Sequence, residues 1–499
     1  MITKLATPGV YVDEIPTLPP TVAEVDSAIP AFIGYTEKAK RFADDDLIGV
    51  PFKISGMEEY ELFFGKGIEV PETLINDATK GVKLTINEVT EDPANPDSAT
   101  AKFEVTMEVK DEDFPKHNLY YSLKHYFANG GGNCYVVAVD KFSDTSSPVK
   151  GKLLDGVAAV QDVDEVTIVV IPEAQWSDGY KDVYEAAVMQ AEELKDRFVL
   201  IDPKQVTIPS NTSAIDGDAT AIRNDAKASS YAAAYYPNLV TTYERFSLDK
   251  VKIDAHTLNG AALPAVNPNH PDMKDKSLND LKTIPKRGFA TYNQLIAEVS
   301  KHPKTRVVLP PSPAVAGIYA RVDFQRGVWK APANEAVMNV SGALVELSSK
   351  QQENLNIDSL AGESINVIRT FPGFGTLVWG ARTLKGNDAE WRYVSVRRFM
   401  MVVEESIKKS LQWAVFEPNT ASTWVRVKGL IENYLFDKWR QGALAGVKPD
   451  DAFYVKIGLG TTMTPQDVLN GIMNVEIGVA IARPAEFIVL KFIQVLQKS

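Results

Sequence analysis

The chain has 499 residues, 45% of them hydrophobic and 24% charged, with a formal net charge of −12 and a single cysteine. That length predicts two to four domains. The single thiol excludes an internal disulfide or a cysteine-rich metal site, and the acidic balance argues against non-specific nucleic-acid binding. No apolar run approaches the roughly 18 residues that span a bilayer, and MITKLATPGVYV lacks the basic-then-apolar order of a secretory leader, so neither membrane insertion nor secretion by that route is expected.

In chain order, TPGVYVDEIPTLPP (residues 7–20) reads as an extended arm. Val10, Tyr11, Val12 and Ile15 form a short strand-like run, and Pro16, Pro19 and Pro20 keep the chain extended beyond it while removing ladder donors. FKISGMEEYELFFGKG (52–67) combines a short strand, an amphipathic helix and a glycine turn. LTINEVT and AKFEVTMEV alternate on either side of the turn-rich EDPANPDSAT and predict a β-hairpin, taken as an insertion over about 75–115. LYYSLKHYFANGGGNCYVVAV (119–139) predicts a helix, a glycine loop and a buried strand that contains Cys134.

Val166–Ile171, Tyr180–Lys195 and Arg197–Ile201 predict a β-α-β unit, so the middle of the chain is expected to be α/β. Residues 204–230 and 255–285, rich in Asn, Asp, Ser, Pro and Lys, read as surface loops. Near the C-terminus, Phe399, Val403, Ile407, Leu411 and Val415 line one face of a helix stopped by Pro418. Asn419 or Thr420 is placed to cap a second helix with Trp424, Val427, Ile431, Leu435 and Trp439 as its apolar stripe. A strand over 453–457, a short helix capped by Thr464 with Pro465 at its first position, and a strand carrying Val475, Ile477, Val479 and Ile481 follow. After Arg483-Pro484-Ala485-Glu486 a final strand, Phe487–Val495, is apolar on both faces, with Ile488, Leu490 and Phe492 on one of them. A two-faced apolar strand at a chain end needs a partner.

The search for chemistry is unproductive. The five histidines are scattered, and no P-loop, G-x-S-x-G or G-x-G-x-x-G occurs. Gly130-Gly131-Gly132 follow a helix and precede a strand, the reverse of the order in a phosphate cradle. Asp202-Pro203 lies at a strand end, where α/β enzymes place ligands, but a lone acidic residue there is more often a turn former. Two readings remain on residues alone: a structural subunit, or an α/β enzyme whose site is dispersed in sequence.

The runs WGARTL (379–384), YVSVRRF (393–399), VFEPN (415–419) and RPAEFI (483–488) resemble the C-terminal domain of contractile tail sheath proteins. The N-terminal PGVYV followed by an acidic pair, and IPAFIGYTEKA (29–39), are similar to sheaths of the antifeeding-prophage type; with 307–335 and 355–384 the matching blocks cover somewhat over half the chain. The resemblance implies a fold of α+β and α/β domains: an extended arm over 1–22, a middle region over 23–380, and a C-terminal module over 381–499 ending in a strand arm at 486–499. It implies no enzyme activity and no cofactor. It implies a sleeve of stacked hexameric rings around an inner tube, assembled in the bacterial cytoplasm with baseplate and terminator proteins and released as a phage-tail-like particle. A bacteriophage tail is the alternative, and the two-chain type VI sheath fits less well. Arms containing Val10, Tyr11, Val12 and Ile15 at one end and Phe487, Ile488, Leu490 and Phe492 at the other add strands to neighbouring subunits. Arg426 or Lys428, cations on an acidic chain, is the candidate contact to the inner tube, with a solvated helix face as the plain alternative and the short helix after Thr464 as a competing candidate.

Overall fold

The computed structural model describes residues 22–89, 102–110, 114–142, 147–204, 212–285, 287–358 and 362–489. The chain forms two compact units, one from 28–325 and 331–394, the other from the segments up to Ser27, Arg326–Lys330 and from Ser395 onward. Among the described residues no helix is long and apolar enough to cross a membrane.

The larger unit is built on a nine-stranded sheet. Its order is Glu335–Ala336, Gly375–Val378, Ile365–Phe371, Ala232–Tyr236, Phe198–Ile201, Ile168–Val170, Pro30–Thr36, Cys134–Lys141 and Phe52–Ile54. The central pairings are parallel and the strands at both ends antiparallel. Every residue of Pro30–Thr36, Phe198–Ile201 and Ala232–Tyr236 is buried. Continuous rather than alternating apolar runs are what a sheet covered on both faces requires. The predicted β-α-β unit is present, its helix running from Tyr180 to Leu194 and closing on Lys195 in the left-handed conformation.

The glycine loop holds no anion cradle. Gly131 N–H donates to the Tyr126 carbonyl and Gly132 N–H to the Tyr126 hydroxyl, so these amides are committed within the loop. A Cβ on Gly131 would lie 2.4 Å from the Tyr126 ring, which accounts for the glycine by close approach. Cys134 is buried in the adjoining strand, where burial pushes its thiol up and makes it a core group.

The hairpin predicted between Lys83 and Lys110 is Val82–Val89 paired antiparallel with Lys102–Val109. It is more than a hairpin, because Ile253–Leu258 adds a parallel strand to Val82–Val89 and Ala261–Ala262 completes a four-stranded sheet. Leu84, Ile86, Ile253, Leu278, Leu281 and Leu295 form a core of its own. The reading of 255–285 as surface loop is therefore corrected: Met273, Leu278 and Leu281 are buried at irregular spacing, which gives no periodic signal. Residues 264–270 lie outside the description. The loop assigned to 204–230 is likewise corrected by a helix, Thr212–Asp225, that buries Ile215, Ala219 and Ile222 at helical spacing under a polar composition.

The smaller unit packs Val394–Ser410 and Ala421–Arg440 around Phe399, Val403, Val427, Ile431 and Leu435, with Trp329 meeting Phe399 edge-on at 6.0 Å. The first helix stops earlier than its apolar period predicts. It ends at Ser410, a single 3-10 turn follows, and Val415 is exposed rather than part of the stripe. Pro418 forbids continuation, and the backbone turns at Phe416, which sits at φ 67° with its ring fully exposed. Thr464 and Asp467 form a reciprocal capping box on Pro465–Leu469, as the sequence predicts.

Candidate functional site

Two features of the smaller unit bear on assembly: how the N-terminal segment is held, and what the last strands leave open. The N-terminal segment runs antiparallel to Val394–Ser410. Ala23 N–H donates to Ser410 Oγ (3.2 Å), Val25 N–H to Ser406 Oγ (3.1 Å), and the Arg398 guanidinium to the Ser27 carbonyl (2.9 Å). Between these, Lys438 Nζ meets Glu24 Oε2 at 2.6 Å, with the Trp329 and Tyr434 rings each 5.5 Å from the ammonium. Val22 is buried in the helix core. The candidate arm residues Val10, Tyr11, Val12 and Ile15 lie outside the described residues.

At the other end of the chain, Phe453–Lys456 and Glu476–Val479 form a two-stranded antiparallel sheet in which Tyr454 faces Gly478 and Lys456 faces Glu476. Tyr454 donates to Glu476 Oε1 at 2.9 Å, and Lys456 approaches the same oxygen at 3.2 Å. A Cβ on Gly478 would come within 2.2 Å of the Tyr454 ring, so glycine there lets the ring lie across the strand. Pairing continues past the sheet, with Ala480 N–H donating to Ala452, Ala445 N–H to Ala480, and Ala482 N–H to Ala443. All these contacts use the even-numbered residues of the last strand. Because backbone groups alternate in direction along an antiparallel strand, residues 477, 479 and 481 turn theirs to the opposite edge. Among the described residues no further strand occupies that edge.

Past Ala482 the chain leaves the sheet. Phe487, Ile488 and Val489 are 68%, 80% and 79% exposed and carry no strand pairing, while Leu490 and Phe492 lie outside the description. Among the described residues no strand pairs with them, and a lone extended segment closes no ladder.

Arg426 and Lys428 both lie on Ala421–Arg440 but do not make one patch, because residues two apart on a helix do not face each other. The Arg426 guanidinium lies 4.3 Å from the centroid of the Trp413 ring, and Lys428 Nζ lies 3.6 Å from Glu432, one turn along. Exposed apolar residues that sequence reading missed lie on two segments joined by one hydrogen bond. Asn419 Nδ2 donates to the Ile472 carbonyl (3.0 Å) and ties the exposed Val415–Phe416 turn to the segment bearing exposed Leu469 and Ile472. The available signal was Pro418 two residues after an aromatic, which forces a turn rather than a helical stripe.

Asp202, the one residue at an enzyme-like position, is fully buried in the larger unit. Ser312 donates to it from both N–H (2.8 Å) and Oγ (2.5 Å), and the Tyr184 hydroxyl lies 3.4 Å away. Burial pushes its carboxyl up to about 7, against the opposing pull of those hydrogen bonds. The carboxyl group thus fastens a strand end to the first turn of Ser312–Arg326. Among the described residues no group of three or more His, Cys, Asp or Glu side chains is placed to hold a metal ion.

Comparison with known proteins places these features in a family context. Residues 150–384 match the phage tail sheath protein central domain and residues 386–494 the phage tail sheath C-terminal domain. The chain is 30% identical to the sheath in the structure of the anti-feeding prophage helical sheath in the contracted state, covering 98% of this chain and 99% of that one with a TM-score of 0.61. A chain of the sixfold-symmetrised anti-feeding prophage baseplate is 29% identical over 99% of this chain and 100% of its own, and a chain of the contracted sheath complex of PVC, an extracellular contractile injection system, is 28% identical over 99% and 98%, both with a TM-score of 0.60. A putative prophage major tail sheath protein of Pseudomonas aeruginosa (strain UCBPP-PA14) is 28% identical over 140 residues, which are 27% of this chain and 34% of that protein. The chain thus aligns with about a third of that relative's length, whereas it spans the injection-system sheaths end to end.

Proposed function

This chain belongs to the contractile tail sheath family, and from that premise we propose that it forms the sleeve of an extracellular, phage-tail-like injection particle, driving an inner tube through a target envelope. The observation that carries the reading is the end-to-end likeness to the anti-feeding prophage sheath at 30% identity. Both matching family models are of phage tail sheath proteins, and a prophage sheath aligns over 27% of this chain, which makes a bacteriophage tail the second reading.

In the proposed particle, copies stack as six-fold rings around the inner tube between a baseplate and a terminator, assembled in the bacterial cytoplasm and then released. The division into an arm over 1–22, a middle region over 23–380 and a C-terminal module from 381 belongs to the same proposal. So do the arm roles of Val10, Tyr11, Val12, Ile15, Phe487, Ile488, Leu490 and Phe492. The unpaired edge at residues 477–481 supports strand addition, in which main-chain bonds give affinity and alternate side chains give register. Arg426 or Lys428 as a tube contact is also kept as a proposal.

The role is mechanical rather than enzymatic. Its energy source is the difference between two packings of the same subunit surfaces, which needs neither nucleotide nor metal. The engagement of Asp202 with Ser312 and Tyr184 supports this reading by giving the strand-end carboxyl a structural use. Electron microscopy of the purified protein tests it. Rings, tubes or sleeves are expected, and compact particles that never polymerise under any assembly condition would overturn it.

A further inference from the structure

The N-terminal segment and the helix beside it have matching repeats. Alternate residues of an extended chain are about 6.6 Å apart, and residues one turn apart on a helix, four positions along, rise about 6.0 Å. Ala23 and Val25 are two apart, Ser410 and Ser406 are four apart, and the pairs run in opposite directions. Two hydroxyls on one helix stripe therefore accept successive same-side amides of the extended segment. Two residues on, the longer Arg398 side chain reaches the Ser27 carbonyl from eight positions further along the helix, a contact outside the two-to-four spacing. Lys438, whose side chain is only 5% exposed, fixes Glu24 from the second helix, and Val22 enters the core below. A slip of the segment by one residue turns Ala23 and Val25 N–H away from both serines and moves Glu24 off Lys438.

We propose that this stripe is a register rail. Ser406, Ser410 and Lys438 are positioning residues that fix the register of residues 22–27 on the helix pair, the segment from which the N-terminal arm of the sheath reading continues. The inference rests on the sheath reading for the arm's destination and on the hydrogen bonds above for the rail itself.

The test is the double variant Ser406→Ala/Ser410→Ala in the full chain, measured unassembled and in sleeves. In the unassembled protein, hydrogen exchange of the segment 22–27 is expected to quicken at least tenfold, with protection of Ala421–Arg440 unchanged. If that helix also loses protection, the single variant Ser410→Ala, at the exposed end of the stripe, replaces the double variant. Unchanged exchange at 22–27 overturns the rail. In sleeves, a variable axial repeat and incomplete contraction are expected, and a repeat and contraction equal to the parent's overturn the positioning role. If the parent protein itself forms no sleeves, the sheath reading fails, and the exchange measurement alone decides whether the rail holds the segment.

Discussion

Deleting residues 487–499 separates folding from assembly. In the subunit Phe487, Ile488 and Val489 are largely exposed and pair with no strand among the described residues, whereas the core of the smaller unit is closed by residues up to Ile481. The deletion is therefore expected to leave the urea midpoint of the unassembled protein unchanged. In the sleeve the same residues would complete a sheet edge in a neighbour. About four main-chain hydrogen bonds at about 1 kcal/mol each, with about 4 kcal/mol from burying three apolar side chains, stand against about 5 kcal/mol for ordering four residues. The remainder is about 3 kcal/mol per link, roughly a hundredfold in association constant. Because in that arrangement every subunit would make the link, a lattice lacking it should not grow at concentrations where the parent polymerises. Sedimentation velocity and negative-stain microscopy over a concentration series read this directly. Normal sleeves from the truncated chain would refute the strand-addition argument, and a lowered urea midpoint would refute the claim that the segment is free in the subunit.

Asp202 makes a prediction about pH. Its folded-state carboxyl is raised to about 7 from an ordinary value near 4, so its contribution to stability is full below about 4 and lost as pH rises through 7. Between pH 5 and 8 the larger unit should lose about 2–3 kcal/mol from this group, and Asp202→Asn should remove that slope in urea unfolding at the two pH values; an equal slope in the variant counts against the assignment. Charge reversal of Arg426 and Lys428 to Glu should leave the unassembled fold intact, since Lys428 has only an exposed i,i+4 partner worth a few tenths of a kcal/mol. The variant should slow sleeve growth on preformed tubes and flatten its dependence on salt, and unchanged tube-templated assembly would remove both residues from the contact.

The parts of the fold that were legible share one property: their local pattern and their tertiary environment agree. Ile168–Val170 and Phe198–Ile201 are unbroken apolar runs because the sheet is covered on both faces, and Thr464-Pro465-x-Asp467 carries its own cap. The failures came where burial is sparse or composition misleads. Thr212–Asp225 buries Ile215, Ala219 and Ile222 beneath Asp, Thr and Asn, so its polar majority hid a correct helical period. Val415 extended the period of Phe399, Val403 and Ile407 arithmetically, yet periodicity does not say where a helix ends. The proline three residues on did, and it should have been given more weight than the stripe.

The assembly features divide in the same way. That the run from Phe487 onward is apolar and calls for a partner can be read from its own residues, because an apolar run is a local property. The rail cannot. Ser406 and Ser410 are two ordinary serines on a helix, and their spacing acquires meaning only when an extended segment nearly four hundred positions earlier in the chain is laid along them. Side-chain hydroxyls that accept backbone amides across such a separation leave no periodic trace in either segment. Their signature is a commensurate repeat, two residues of strand to four of helix, and it becomes visible only in three dimensions. Extended segments docked on helices can be searched for on this basis, by asking which hydroxyl-bearing residues lie four apart beneath amides two apart.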